Sequence, residues 1–218
     1  MVISTPDFSA LPDVHDLRSL SQALALLDAI LCPDWESRYY SFDAHWGAEE
    51  ALASMRNGEG DHYFCLFNAD GAILKGFLHE SAMSPFRSNP PRIWPGVLDS
   101  VPPQFTEALT EPAFVIDETT FCIWRTNQDS AWQRGDIRFP DSEWTDGLAE
   151  LLAMLDNNPR TYQRWAESYY ERPVSLEAVI HIYEHKQLTG EIIQVLNPDL
   201  SLQELSLDIA EIGYAHSQ

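Results

Sequence analysis

Five side chains able to do acid–base or metal chemistry fall close together: Glu59, Asp61, His62, His79 and Glu80. They lie in SMRNGEGDHYFCLFNADGAILKGFLHESAMSPF, residues 54–86, and no other stretch concentrates so many reactive groups. Two imidazoles and a carboxylate can ligate a divalent transition metal. The same groups can pass protons, because histidine titrates near neutral pH and a carboxylate can orient it. Either chemistry requires the groups to converge. Neither histidine belongs to a short metal-ligand motif, and strand-end histidines are commonly hydrogen-bonded rim residues, so no metal or cofactor is assigned from spacing.

Convergence depends on the elements that hold these residues. HYFCLF and AILKGFLH have strand composition, and NADG between them has turn chemistry. A four-residue NADG loop places Phe67 opposite Ala72, Phe64 opposite Lys75 and His62 opposite Phe77, with His79 beyond, opposite Gly60. Alternation then puts His62, Phe64, Leu66, Ile73, Lys75, Phe77 and His79 on one face. Asp61, Tyr63, Cys65, Phe67, Ala72, Leu74, Leu78 and Glu80 fall on the other. The second face is apolar through its middle and is expected to be buried. The first is half apolar, with both imidazoles at the open end of the ribbon, where a polar pocket rim can form. A slip of one residue would undo the arrangement.

Other constellations are weaker. Asn57, Glu59 and Asp61 alternate as in a calcium loop, but His62 stands where the tight turn needs glycine. Gly58 and Gly60 lack the third glycine and following helix of a phosphate site, and read as structural glycines in a sharp loop. HESAMS has no G-x-S-x-G elbow. Asp117-Glu118 and Glu49-Glu50 read as solvated surface rather than a glycosidase pair. His181 and His185 stand four apart on an expected helix without a matching further ligand.

The charge balance narrows the function classes. Thirteen Lys and Arg face 34 Asp and Glu, a formal net charge of −21. That sign repels phosphate backbones and anionic headgroups, so nucleic-acid and membrane-surface roles are disfavoured. It suits solubility, or docking to a basic protein partner. The opening residues show neither a basic region nor an apolar run, and no stretch approaches the ~18 apolar residues of a membrane span. Cys32, Cys65 and Cys122 are odd in number and widely spaced, which reads as reduced thiols in a cytoplasmic protein. A hydrophobic fraction of 44% and an aromatic fraction of 11% are ample for a packed core.

Length favours one domain over 1–218, since domains commonly run to ~100–200 residues. After a short irregular arm, Leu17, Leu20, Leu24, Leu27 and Leu31 mark one face of a helix, with Asp13 or Asp16 as cap and Pro33 beyond its end. WESRYYSF reads as a strand, and DAHWGAEEALASMR as a short helix from Asp43 to a stop at Asn57-Gly58. Residues 85–112 hold seven prolines. They also hold Phe86, Ile93, Trp94, Val97, Leu98 and Phe105, so an excursion packed on the core with one short helix is preferred to a free linker. AFVIDETTFCIWRT reads as two short strands around DETT, with Trp132 and the IRF run as a third. From Asp141 the chain is almost wholly helical, with a stripe of Trp144, Leu148, Leu151, Leu152 and Leu155, a helix in RTYQRWAESYY, further starts at Ser175 and Thr189, and a capping box at Ser201–Glu204. A mixed part of about 1–140 therefore precedes a helical part of about 141–218. The class is α+β: a small antiparallel sheet including hairpin 62–79, an N-terminal helix and a helical C-terminal part.

YYSF (39–42), Trp46, SMRNGEGDHYF (54–64), GAILKGFLHES (71–81) and MSPF (83–86) resemble a run in uncharacterised bacterial proteins of similar length. The tail 183–214 is similar to theirs too. No activity attaches to that group, so the resemblance implies no catalytic residues. Size and charge also resemble acidic immunity proteins that pair with basic toxins. The leading expectation is a non-enzymatic binding protein that meets a basic partner through an acidic face. The alternative is a metal-dependent or acid–base hydrolase using His62, His79 and nearby carboxylates. A third reading stacks sugars or nucleobases on exposed members of the seven tryptophans.

Overall fold

The computed structural model describes residues 8–140 and 146–216. Helix α1 spans Val14–Leu31, and Asp13 caps it by accepting from the Asp16 N–H. Six strands follow: β1 Tyr40–Gly47, β2 Glu50–Arg56, β3 His62–Asn68, β4 Gly71–Phe77, β5 Phe121–Thr126 and β6 Gln133–Arg134. They form one antiparallel sheet in sequence order, so each strand pairs with the next. Helices α2 Leu148–Leu151, α3 Pro159–Tyr169, α4 Leu176–Tyr183, α5 Gly190–Leu196 and α6 Ser206–Ile212 complete an α+β architecture. Trp144 and most of the opening arm lie outside the described residues.

The 62–79 hairpin has the register read from NADG. His62 pairs with Phe77, Phe64 with Lys75 and Phe67 with Ala72. Its apolar face is buried as expected: Tyr63, Cys65, Phe67, Ala72 and Leu74 pack with α1 and the C-terminal helices. The other face is buried too, contrary to the half-open ribbon expected. Phe64, Leu66 and Ile73 join Leu52, Cys122 and Trp124 beneath Val97, Phe105 and Phe114 of the proline-rich excursion. The sheet therefore separates two cores, and the excursion closes the second. It does so with single 3-10 turns at Pro85–Arg87, Pro103–Phe105, Glu107–Thr110 and Pro112–Phe114, where one short helix was expected. Prolines without N–H groups fit such turns, because a longer helix would need those donors.

Two further expectations fail for physical reasons. Residues 43–56 form the β1–β2 hairpin and not a helix. β2 lies between β1 and β3, sends Ala51, Ala53 and Met55 into one core and Leu52 into the other, and so gains burial on both faces. That outweighs the helix preference of alanine. The first of the two strands expected around DETT is absent. Pro112–Phe114 turns, and Val115 is left-handed at φ 44°. The Val115 and Glu118 carbonyls accept from Lys75 Nζ, at 3.2 and 2.8 Å, rather than from a strand neighbour. IRF is not strand either; β6 precedes it. WESRYYSF is strand only from Tyr40, after a 3-10 turn at Trp35–Ser37.

Helix α1 is more deeply enclosed than a one-faced stripe implies. From Ala23 to Leu31 every residue is buried, between the sheet and α4, α5 and α6. The capping box also forms: Glu204 accepts from the Ser201 N–H and hydroxyl, and Ser201 Oγ accepts from the Glu204 N–H.

Candidate functional site

The five candidate residues divide between two places. In the loop before β3, Gly58 and Gly60 take φ of 76° and 107°, and Asn57 Oδ1 accepts from the N–H groups of Glu59 and Asp61. This tight loop aims Asp61 away from His62, its chain neighbour. Asp61 is 5% exposed and accepts from the His79 backbone N–H at 2.8 Å, His79 Nδ1 at 2.6 Å and Asn57 Nδ2 at 2.8 Å. His79 Nε2 lies 3.4 Å from Glu80 Oε1. Glu59, Asp61, Leu78, His79, Glu80 and Glu150 line one open pocket of about 470 Å³. Glu150 comes from α2, far along the chain, and nothing in its local sequence marks it.

Electrostatics follow from these contacts. Burial pushes the Asp61 carboxyl up, but the three hydrogen bonds and the His79 charge outweigh it and hold Asp61 below the usual carboxylate range. The hydrogen bond to Asp61, then its charge and those of Glu80 and Glu59, raise His79 above the ordinary imidazole value. An ionised Asp61 can only accept, so His79 carries its proton on Nδ1. Burial, with lesser contributions from Tyr169, Asp61, Glu59 and Glu150, pushes the Tyr39 phenol up to about 12. Tyr39 in turn packs edge-on against Trp165 at 4.9 Å and Tyr169 at 5.4 Å.

His62 does not join this pocket. It points into the excursion-side core, 8% exposed, between the rings of Phe64 and Phe77. Its Nδ1 meets the Gly60 carbonyl at 3.3 Å, and its Nε2 lies 3.0 Å from Lys75 Nζ. Donation from Nδ1 to the carbonyl leaves the Nε2 lone pair to accept from the ammonium. Burial and the neighbouring Lys75 charge push His62 down to about 4. Lys75 is fully buried; desolvation lowers it to about 7 against the pull of Glu118. The expected convergence of both imidazoles fails because His79 follows the end of β4, where strand alternation no longer sets direction. Among the described residues, no three His, Cys, Asp or Glu side chains are disposed to hold one metal ion. His181 and His185 also separate: their Nε2 atoms meet the Gln187 and Ser19 carbonyls, respectively.

Comparisons with family models, curated proteins and solved structures find no match to this chain. Function is therefore argued from the site itself.

A buried acid escaped the sequence reading. Asp28 is wholly buried in the last turn of α1. Its Oδ2 accepts from the Tyr39 and Tyr40 N–H groups at 2.9 and 2.8 Å, and Oδ1 from the Tyr162 hydroxyl at 2.7 Å. Desolvation raises it to about 6 despite these donors. It pins the start of β1 and α3 to the central helix. The signal was present: Asp28 is the one polar residue in ALALLDAIL, four positions after Leu24 on the leucine stripe.

Of the tryptophans, Trp124 and Trp132 are buried, Trp94 and Trp165 half-buried, and Trp35 and Trp46 exposed. No helix among the described residues is long and apolar enough to cross a membrane.

Proposed function

We propose that this chain is a binding protein that takes a basic side chain of a protein partner into the pocket of Glu59, Asp61, Glu80 and Glu150. The observation that supports it is the lining: among the described residues, four carboxylates, one imidazole and no Lys or Arg around about 470 Å³. Arg87 approaches only from the rim, its Nη2 3.4 Å from Glu80 Oε2. The chain's net charge of −21 steers such a partner at long range. An arginine-rich peptide is the probe. Its affinity should fall steeply with ionic strength and drop by about tenfold or more in the double variant Glu59→Lys, Glu150→Lys. Binding indifferent to both salt and the two reversals would refute the proposal.

A second reading rests on the 2.6 Å His79–Asp61 contact, which orients an imidazole as general bases are oriented. Among the described residues no Ser, Cys or Thr lines that pocket, so on this reading the nucleophile is water. The raised His79 value also keeps the ring protonated to higher pH, so less of it is in the neutral form that can accept a proton. Hydrolysis of activated esters that vanishes in His79→Gln would favour this reading over binding.

A further inference from the structure

The proline-rich excursion holds a second pocket, of opposite chemistry. Ser84, Arg87, Ser88, Arg92, Ile93 and Trp94 line an open, mainly apolar cavity of about 290 Å³. That is near the lower end of the ~300–1,000 Å³ range of ligand pockets. Thirteen basic residues serve the whole chain, and two of them face this one space.

Most polar groups around it are already committed. Trp94 Nε1 donates to the Arg138 carbonyl at 3.0 Å, and the Ser88 hydroxyl is shared between the Pro85 and Pro90 carbonyls. Arg87 Nε donates to the Ser81 carbonyl, and its Nη2 to the Glu80 carbonyl, with Glu80 Oε2 3.4 Å away. Two groups remain. The Arg92 guanidinium makes no side-chain hydrogen bond or ion pair among the described residues. Ser84 is 5% exposed, and its hydroxyl has no partner among the described residues either. Ser84 lines the cavity, and its hydroxyl is not one of the chain's buried unpartnered groups, so it is open to solvent or to a ligand there.

We propose that this pocket binds a small monocarboxylate carried on a flat apolar body. The guanidinium fork matches a carboxylate in two parallel hydrogen bonds, and the Ser84 hydroxyl supplies a third. The half-buried indole, its N–H engaged elsewhere, adds apolar ring surface to the lining that suits a planar ring. One uncommitted guanidinium in a chain of net charge −21 fits a single negative charge better than a phosphate dianion. The site is independent of the carboxylate-lined pocket: Glu80 lines that one, Arg87 lines this one, and their contact stands between them.

Phenylacetate is the probe and phenylacetamide its neutral isostere, with binding followed by ligand-observed NMR and calorimetry. Phenylacetate should bind saturably and the amide about tenfold more weakly. Arg92→Gln, an exposed change that leaves the core untouched, should reduce phenylacetate affinity about tenfold, and Ser84→Ala by a smaller factor. The Glu59→Lys, Glu150→Lys variant should bind phenylacetate as the parent does, which separates this site from the one above. Lack of saturable binding, equal affinity for the amide, or indifference to Arg92→Gln would each overturn the proposal.

Discussion

Burial acts in opposite directions on Asp28 and His62, because one becomes charged on losing a proton and the other on gaining it. Asp28 is raised from 3.8 to about 6, so between those values the folded chain holds a proton that the unfolded chain has released. Its contribution to stability therefore falls as pH rises through that window. His62 is lowered from 6.5 to about 4, so the unfolded chain holds the extra proton and stability rises with pH. The windows overlap, and the two slopes oppose each other. Asp28→Asn, which keeps one oxygen for the Tyr39 and Tyr40 N–H groups, should uncover a rise in stability of up to roughly 3 kcal/mol from pH 4 to 6.5. His62→Gln should uncover a fall instead. Urea unfolding across that range checks both, and parallel curves for parent and variants would contradict the assignment. Lys75 acts above neutrality. Lowered to about 7, it has given up its proton in the folded chain while the unfolded chain keeps it to about 10.5, so stability should climb with alkaline pH. Lys75→Met should abolish that climb. It should also lower neutral stability by ~1–3 kcal/mol, because the Glu118 carbonyl is left without a donor while the Val115 carbonyl keeps the Glu118 N–H.

At the scale of elements, sequence was informative where local chemistry and burial agreed. NADG fixed the β3–β4 register, and Asp13, Leu17 to Leu31 and Pro33 framed α1, because turn and cap residues act on their own neighbours. Residues 43–56 were misread because Ala51, Ala53 and Leu52 satisfy helix and strand patterns alike, and only an interior place in the sheet decides between them. The site was half legible for the same reason. Asp61, His79, Glu59 and Glu80 are brought together by one hairpin, whereas Glu150 arrives from α2, and His62 is claimed by a lysine whose burial depends on the distant excursion. One close approach between elements is open to test. A Cβ on Gly76 of β4 would stand 2.3 Å from the Phe121 ring of β5. Gly76→Ala should therefore cost ~1–3 kcal/mol, read as a lower urea midpoint with an unchanged slope. An unaffected midpoint would mean that the ring turns aside freely.

Across the whole molecule, 34 acids against 13 bases make self-repulsion the prevailing long-range force. Screening weakens it, so the thermal midpoint should rise on adding sodium chloride to a dilute buffer and level off once the Debye length falls to ~8–10 Å. A midpoint that declines with salt would mean that attractive pairs such as Arg38–Asp208 outweigh the net charge. The enclosure of α1 has a consequence for biosynthesis. Its leucines are translated long before α4, α5 and α6, which cover them, leave the ribosome. A nascent chain carrying only the sheet must hold that greasy segment unsheltered, or hand it to a chaperone, until the final helices emerge.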